Sequence, residues 1–168
     1  MFSQFIKGRV YVFIDAENVF YCQRTLGWRI SYQKLIVYLR RECGAKVKCF
    51  IYSGKDELNP KQKKFLDMLE INGYIVRTKA VKKIKSPEGY KWKNNLDIEL
   101  AFEMIDTQDA YDTAILISGD SDFAVPIDRI KKSGKRIIVV STRGHISREL
   151  LERSKYIDLR KLKQEITQ

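Results

Sequence analysis

Short apolar runs alternate with helical segments along the chain, and this alternation constrains the fold more than any other feature of the sequence. Strands joined by helices predict right-handed crossovers, and therefore a mainly parallel sheet with helices on both faces. The expected fold is a three-layer α/β domain whose sheet has five or six strands. The predicted strands are residues 9–15, 45–53, 74–78, 114–117, 135–140 and 156–159, and the predicted helices are residues 17–26, 31–43, 60–72, 95–106, 123–133 and 147–153.

The length of the chain and its few cysteines limit the classes of protein to which it can belong. Its 168 residues predict a single domain over residues 1–168, with a core at about residues 9–160. No apolar run approaches the roughly 18 residues of a membrane-spanning helix, and the N-terminus lacks the apolar core of a signal peptide. Cys22, Cys43 and Cys49 have no metal-binding spacing, which disfavours a zinc site and favours the reducing cytoplasm.

The net charge points to a class of partner. Lysine and arginine outnumber acidic residues by 32 to 21, which gives a net charge of +11. An excess of this size favours a polyanion, with nucleic acid ahead of an anionic membrane surface. Solubility alone is the alternative explanation. No glycine-rich phosphate-binding motif follows the first strand, which disfavours dinucleotides and P-loop nucleotides.

Acidic residues follow two of the predicted strands. Asp15 ends the first strand and Asn18 comes one helical turn later, while Asp120 and Asp122 follow the fourth strand directly. If these two strands are neighbours in the sheet, their carboxyl ends face one crevice and the three carboxylates share it. The alternative is an ordinary polar turn in which Ser121 or Asp122 caps the next helix.

The predicted helix at residues 95–106 carries a fourth carboxylate. Successive residues lie about 100° apart around a helix, which places Asp97 near the middle of a broad apolar arc. A carboxylate directed at the sheet must be paired, hydrogen-bonded or bound to a metal ion; alternatively, Asp97 is a first-turn acid favoured by the helix dipole. The arc contains Leu96, Ile98, Leu100, Ala101, Phe102, Met104 and Ile105, and the remaining face, predicted to be solvated, contains Glu99, Glu103 and Asp106.

Four carboxylates in one crevice predict a site for divalent cations. Like charges at close range are unfavourable unless a cation or a proton lies between them. The sequence places no lysine or arginine obviously among them, and oxygen ligands suit Mg²⁺ or Mn²⁺ better than zinc. The predicted metal ligands are Asp15, Asp97, Asp120 and Asp122.

Three sequence motifs together resemble a known family. They are FIDAEN at residues 13–18, KNNLDIELAFE at residues 93–103 and SGDSDF at residues 118–123. Their order and spacing, over about residues 9–140, are similar to those of an NYN domain of the LabA-like group, within the PIN-like nuclease superfamily. Ala16 and Asn94 stand where glycine is common in that group, and Glu103 stands where aspartate is common.

The resemblance implies both a fold and a function. It implies a Rossmann-like sheet in the order 3-2-1-4-5 and a metal-dependent ribonuclease that leaves a 5′-phosphate. Asn18 is expected to hold water or a phosphate through its side-chain amide. The catalytic residues that the resemblance implies are Asp15, Asn18, Asp97, Asp120 and Asp122.

A basic segment just before Asp97 is the predicted RNA-binding surface. Residues 80–94 are predicted to form a loop, and ten lysines and arginines lie between residues 61 and 93, against three acidic residues. Cations neutralise phosphates and exposed aromatic rings stack on unpaired bases, so single-stranded RNA is the preferred partner. A solvated lysine loop with aromatic residues facing the core is the alternative. The predicted RNA contacts are Lys82, Lys83, Lys85, Tyr90, Lys91, Trp92 and Lys93.

A metal-dependent endoribonuclease is the favoured hypothesis, in which metal ions activate water and stabilise the leaving oxygen. A module of the same fold that binds RNA without cutting it is disfavoured, because unneutralised acids hinder phosphate binding. An aspartyl phosphohydrolase would use Asp15 with Glu17 two residues later, but no matching lysine and threonine motifs follow. The sequence leaves the choice between a monomer and a homodimer open.

Overall fold

The computed structural model describes residues 1–56, 58–80 and 96–168, together with the backbone of residues 82–86 and 89–93. None of the helices in these ranges combines the length and the apolar character needed to cross a bilayer. The strands and helices are, in chain order, β1 (Val10–Asp15), α1 (Ala16–Leu26), α2 (Tyr32–Cys43), β2 (Lys48–Lys55), α3 (Pro60–Ile71), β3 (Ile75–Ala80), β4 (Lys82–Ser86), β5 (Gly89–Lys93), α4 (Asp97–Asp106), β6 (Thr113–Ile117), α5 (Ala124–Lys132), β7 (Arg136–Ser141), α6 (Arg148–Arg153), β8 (Lys155–Asp158) and α7 (Lys163–Ile166).

The central sheet confirms the predicted strand order. Six parallel strands lie in the order β3-β2-β1-β6-β7-β8, so the first five follow the expected 3-2-1-4-5 pattern and β8 is the predicted edge strand. β1 and β6 are neighbours, with Ile14 opposite Ile117. Because the direction of winding reverses between these two strands, their carboxyl ends open the crevice in which α/β proteins usually bind ligands.

Alternate side chains of each central strand enter two different cores. On β1, Val12 and Ile14 pack with α1, α2 and α3, whereas Tyr11 and Phe13 pack on the other face with α4, α5 and α6. A strand that is buried on both faces needs apolar side chains at nearly every position. The central strands therefore appear in the sequence as continuous apolar runs. The helices α1 and α4 therefore lie on opposite faces of the sheet.

Helix α4 has a narrower buried face than the sequence predicts. Leu100 and Met104 are almost fully buried, but Ile98 and Phe102 are 65% and 62% exposed, so the prediction that these two residues join the core is wrong. Only the stripe of a helix that faces the sheet becomes covered. Apolar residues beside that stripe look the same in the sequence as those on it.

Glu103 is not the solvated residue that the sequence predicts. Its carboxylate accepts a hydrogen bond of 2.6 Å from the hydroxyl of Tyr52 on β2 and two, of 2.9 and 2.6 Å, from the guanidinium of Arg77 on β3. Burial raises the pKa of Glu103, but the bonds from Arg77 and Tyr52 outweigh burial and hold the pKa below its usual value. Glu103 thus connects α4 to two strands of the sheet.

Replacing Glu103 by alanine is expected to lower the free energy of unfolding by about 1–2 kcal/mol, because the buried Tyr52 hydroxyl and Arg77 both lose their acceptor. Glu99→Ala is the matched control, because Glu99 lies one turn before Glu103 on α4. Both side chains of its ion pair with Lys79 are exposed. Its effect is expected to stay within about 0.5 kcal/mol. Urea unfolding of the two variants measures the difference, and equal stabilities would contradict the structural role of Glu103.

Two strands stand where the sequence analysis predicts only a loop, at residues 80–94. β4 and β5 pair antiparallel, with Ser86 opposite Gly89. Lysines alternate with Ile84, Tyr90 and Trp92 in this segment, and a period of two is typical of strands. The prediction of a loop considered the charge of the segment and not its alternation.

Candidate metal centre

Asp15 connects the ends of β1 and β6. Its Oδ1 accepts a hydrogen bond of 3.0 Å from the backbone N–H of Asn18, and its Oδ2 accepts one of 2.9 Å from the hydroxyl of Ser118. Burial raises the pKa of Asp15, and the nearby charge of Asp120 adds to this shift. With both oxygens engaged and only 9% exposure, Asp15 is poorly placed as an aspartyl nucleophile, which disfavours the phosphohydrolase hypothesis.

Asn18 holds the turn that follows β6. Its side-chain Oδ1 accepts a hydrogen bond of 3.1 Å from the backbone N–H of Gly119, and this donor fixes which end of the amide is the oxygen. A Cβ atom on Gly119 would lie 1.9 Å from the carbonyl oxygen of His145, so only glycine fits between these segments. The structure therefore gives Asn18 a positioning role, and its expected contact with water or phosphate remains a prediction.

The turn after Gly119 is capped by Asp120. Its Oδ1 accepts a hydrogen bond of 2.9 Å from the backbone N–H of Asp122, at the start of the 3₁₀ turn Ser121–Phe123. The backbone N–H of Asp120 donates to the hydroxyl of Ser118. The alternative is correct that this segment is a polar turn, but neither Ser121 nor Asp122 caps α5: Asp120 caps the 3₁₀ turn, and α5 has no side-chain cap among the described residues.

Asp97, the first residue of α4, meets the two acids of that turn. One carboxylate oxygen each of Asp97, Asp120 and Asp122 lies within 4.8 Å of the other two. Burial raises the pKa of Asp97 to about 6, and the charges of Asp15, Asp120, Asp122 and Glu17 contribute to this shift. Asp97 is in the first turn of α4, which agrees with the alternative that the helix dipole favours an acid there. It also lies among the acids of the crevice.

The donor set of this cluster fits a hard divalent cation. All three groups of the cluster are carboxylates, and no histidine or cysteine joins them among the described residues, so their chemistry suits a hard cation such as Mg²⁺ or Mn²⁺. Around an octahedral Mg²⁺, opposite oxygens are about 4.2 Å apart and adjacent oxygens about 3 Å. The three oxygens lie within 4.8 Å of one another, so each has to move inward by less than about 1 Å to reach one cation.

Asp15 lies beside the three-carboxylate cluster. It lines a small cavity together with Asp97 and Glu17. Sequence analysis missed Ser118 as the hydrogen-bond donor to Asp15, although its place between β6 and Asp120 was a usable signal. The side chains of the predicted RNA contacts, Lys82, Lys83, Lys85, Tyr90, Lys91, Trp92 and Lys93, lie outside the described residues.

The sequence also matches a known family, since a model of the NYN domain covers residues 9–160. The chain belongs to the NYN domain family. The low amplitude and bright protein LabA of Synechococcus elongatus, which carries an NYN domain, is 37% identical over an alignment of 161 residues that covers 92% of this chain and 86% of LabA. The resemblance carried by the three motifs is confirmed.

A solved structure shares the fold of this NYN domain. The crystal structure of a protein of unknown function from Vibrio parahaemolyticus has a TM-score of 0.79 and 22% identity, with 96% of this chain and 97% of that chain covered. This likeness concerns the fold alone. NYN domains are generally nucleases with a PIN-like fold and usually use divalent metal ions, which agrees with the chemistry of the acidic cluster.

Proposed function

We propose that this NYN domain is a metal-dependent endoribonuclease that hydrolyses phosphodiester bonds of single-stranded RNA. The observation that carries the proposal is the convergence of Asp97, Asp120 and Asp122 at the carboxyl ends of β1 and β6. The net charge of +11 supports a polyanionic substrate. An acidic cluster in such a protein is compatible with a bound phosphate only when cations neutralise it.

The residues of the crevice have different roles in this proposal. Asp97, Asp120 and Asp122 hold Mg²⁺ or Mn²⁺, and Asp15 is a further candidate ligand. The bound metal supplies an activated water and stabilises the charge on the leaving oxygen. Asp15 fixes the end of β6 through Ser118, and Asn18 fixes the turn that carries Asp120.

The remaining parts of the proposal concern the setting of the reaction. Residues 1–168 form one domain that acts in the cytoplasm, where reducing conditions keep Cys22, Cys43 and Cys49 as free thiols. The lysines and aromatic residues of 82–93 contribute phosphate and base contacts, as the sequence predicts.

Labelled single-stranded RNA is expected to be cut in the presence of Mg²⁺ or Mn²⁺ and to stay intact in EDTA. Gel analysis of the products measures the cleavage, and 5′-end mapping reads the expected phosphate. A single-stranded DNA of the same sequence tests the preference for RNA. Equal cleavage with and without EDTA contradicts the metal mechanism, and RNA binding without cleavage under either condition favours the binding module instead.

A further inference from the structure

A groove along α1 adjoins the acidic cluster. Its volume is about 960 Å³, and Glu17 and Gly54 line both the groove and the small cavity that contains Asp15 and Asp97. Binding sites for drug-sized ligands have volumes of roughly 300–1,000 Å³. A ligand in the groove would therefore reach the edge of the metal centre.

Aromatic side chains line this groove and remain accessible. Phe20 and Tyr21 are 56% and 45% exposed, with their rings edge to face at 5.6 Å, and Trp28 is partly exposed beyond them. At 1.5 Å per helical residue, Phe20 lies about 7.5 Å along the axis of α1 from Asp15, which is comparable with one nucleotide of an extended strand. Exposed aromatic rings of this kind can stack on unpaired bases.

The charges along the groove complement a phosphate backbone. Glu17 is the single acidic side chain in the described lining, at the end nearest Asp97, whereas Arg24 and Arg29 lie farther along, where Gln168 also lines the groove. Both arginines are exposed, and no carboxylate among the described residues forms an ion pair with either. Guanidinium groups bind phosphate oxygens through two parallel hydrogen bonds, so these arginines are suited to phosphates.

We propose that this groove binds single-stranded RNA on one side of the scissile phosphate. Bases stack on Phe20, Tyr21 and Trp28, and phosphates pair with Arg24 and Arg29. The inference rests on the proposed function, since it names the path by which the substrate reaches the acidic cluster. Every base presents a flat face, so this path tolerates many sequences but requires unpaired bases.

The double variant Phe20→Ala/Tyr21→Ala is expected to bind oligouridylate at least about tenfold more weakly in fluorescence anisotropy. Its affinity for inorganic polyphosphate, a polyanion without bases, is expected to stay unchanged. Arg24→Gln/Arg29→Gln is expected to weaken binding of both probes and to reduce the slope of log K against log salt by about 1.4, because each lost contact with a single strand removes about 0.7.

Matched controls lie on the opposite face of the sheet. Phe102→Ala removes an aromatic ring that is 62% exposed on α4, and Arg129→Gln removes an exposed charge from α5. Both control variants are expected to bind oligouridylate as the parent does. Thermal unfolding of every variant checks that the fold is retained, which is expected because all substituted side chains are at least partly exposed.

Fluorescence of Trp28 reports stacking directly. The Trp92→Phe substitution keeps an aromatic ring at a predicted RNA contact and leaves Trp28 as the remaining tryptophan. At oligouridylate concentrations that saturate this variant in anisotropy, the RNA is expected to quench Trp28, whereas polyphosphate is not. Absence of quenching, together with parental affinity of Phe20→Ala/Tyr21→Ala, overturns the proposal. Conversion of a dimeric parent into a monomer by that double variant also overturns it, because the groove would then be an interface between two copies.

Failure of this inference can be told apart from failure of the proposed function. If the parent cuts RNA with Mn²⁺ and the groove variants bind and cut as the controls do, the inference alone is wrong. If the groove variants lose RNA affinity but the parent cuts no RNA with Mn²⁺, the nuclease proposal is wrong and the groove is an RNA-binding surface without a scissile phosphate beside it. When both proposals are correct, the groove variants show a higher KM for RNA and an unchanged kcat.

Discussion

Asp120→Asn is expected to reduce the rate of RNA cleavage by at least about 100-fold while the fold is retained. Loss of groups that only support metal ligands already costs about 10–100-fold, so loss of a proposed ligand should cost more. An asparagine keeps the Oδ1 that accepts the hydrogen bond from the backbone N–H of Asp122. The 3₁₀ turn therefore stays capped, and the substitution removes charge without removing structure.

The decisive measurement is the cleavage rate of labelled single-stranded RNA in saturating Mn²⁺. Asp106→Asn is the matched control, since it removes an exposed charge from the far end of α4 and should cut at the parental rate. RNA binding of Asp120→Asn in EDTA is expected to equal or exceed that of the parent, because one negative charge near the phosphate is gone. Cleavage within tenfold of the parental rate would remove Asp120 from the active site.

Much of the fold could be predicted from the sequence because its strands are buried on both faces. Runs such as Ala114–Ile117 are then apolar throughout, and the helices between them force parallel crossovers. The resemblance implied the strand order, and from it follows that β1 and β6 are neighbours. The approach of Asp120 and Asp122 to the end of β1 follows from the same order.

The partners of individual side chains could not be predicted in the same way. A helical wheel placed Glu103 away from Asp97, and Glu103 is not part of the three-carboxylate cluster. The wheel could not show that Tyr52 and Arg77, about 50 and 26 residues earlier in the chain, would lie against Glu103. Such contacts depend on the register of three separate elements.

The groove along α1 was missed for a similar reason. Phe20 and Tyr21 read as ordinary residues of an amphipathic helix, and nothing in their spacing shows whether another segment covers them. The groove arises where α1 and the segment from Gly27 to Gln33 leave a space beside the end of β2. The RNA contacts were predicted where aromatic residues are interleaved with a cluster of lysines, and in the sequence only the basic segment combines the two in this way.

Asp97→Asn is expected to stabilise the metal-free protein at pH 7.5 and to remove its stabilisation by Mn²⁺. Burial and four neighbouring carboxylates raise the pKa of Asp97 to about 6, from a usual value of 3.8. The folded state therefore holds this proton more tightly than the unfolded state does. The stability of the parent falls as the pH rises from about 4 to about 6, and the loss persists above that range.

The size of this effect follows from the partial exposure of Asp97. After allowance for solvent screening, relief of the buried charge is worth about 1 kcal/mol, which exceeds the few tenths lost from its interaction with the dipole of α4. For a chain of this length the midpoint of thermal unfolding should rise by roughly 2–4 °C. The rise should vanish at pH 4, where the parental Asp97 is itself protonated.

Asp97→Asn should raise the stability of the metal-free protein but reduce the further stabilisation that Mn²⁺ gives. A cation at 100 times its Kd stabilises the parent by about 2.7 kcal/mol, or roughly 5–10 °C, and this gain should shrink below pH 6 as protons compete for Asp97. Asp97→Asn should show little of this stabilisation by Mn²⁺, whereas the control Asp106→Asn should keep all of it. An Asp97→Asn protein that retains the full Mn²⁺ gain would exclude Asp97 as a metal ligand, whatever its effect on the metal-free fold.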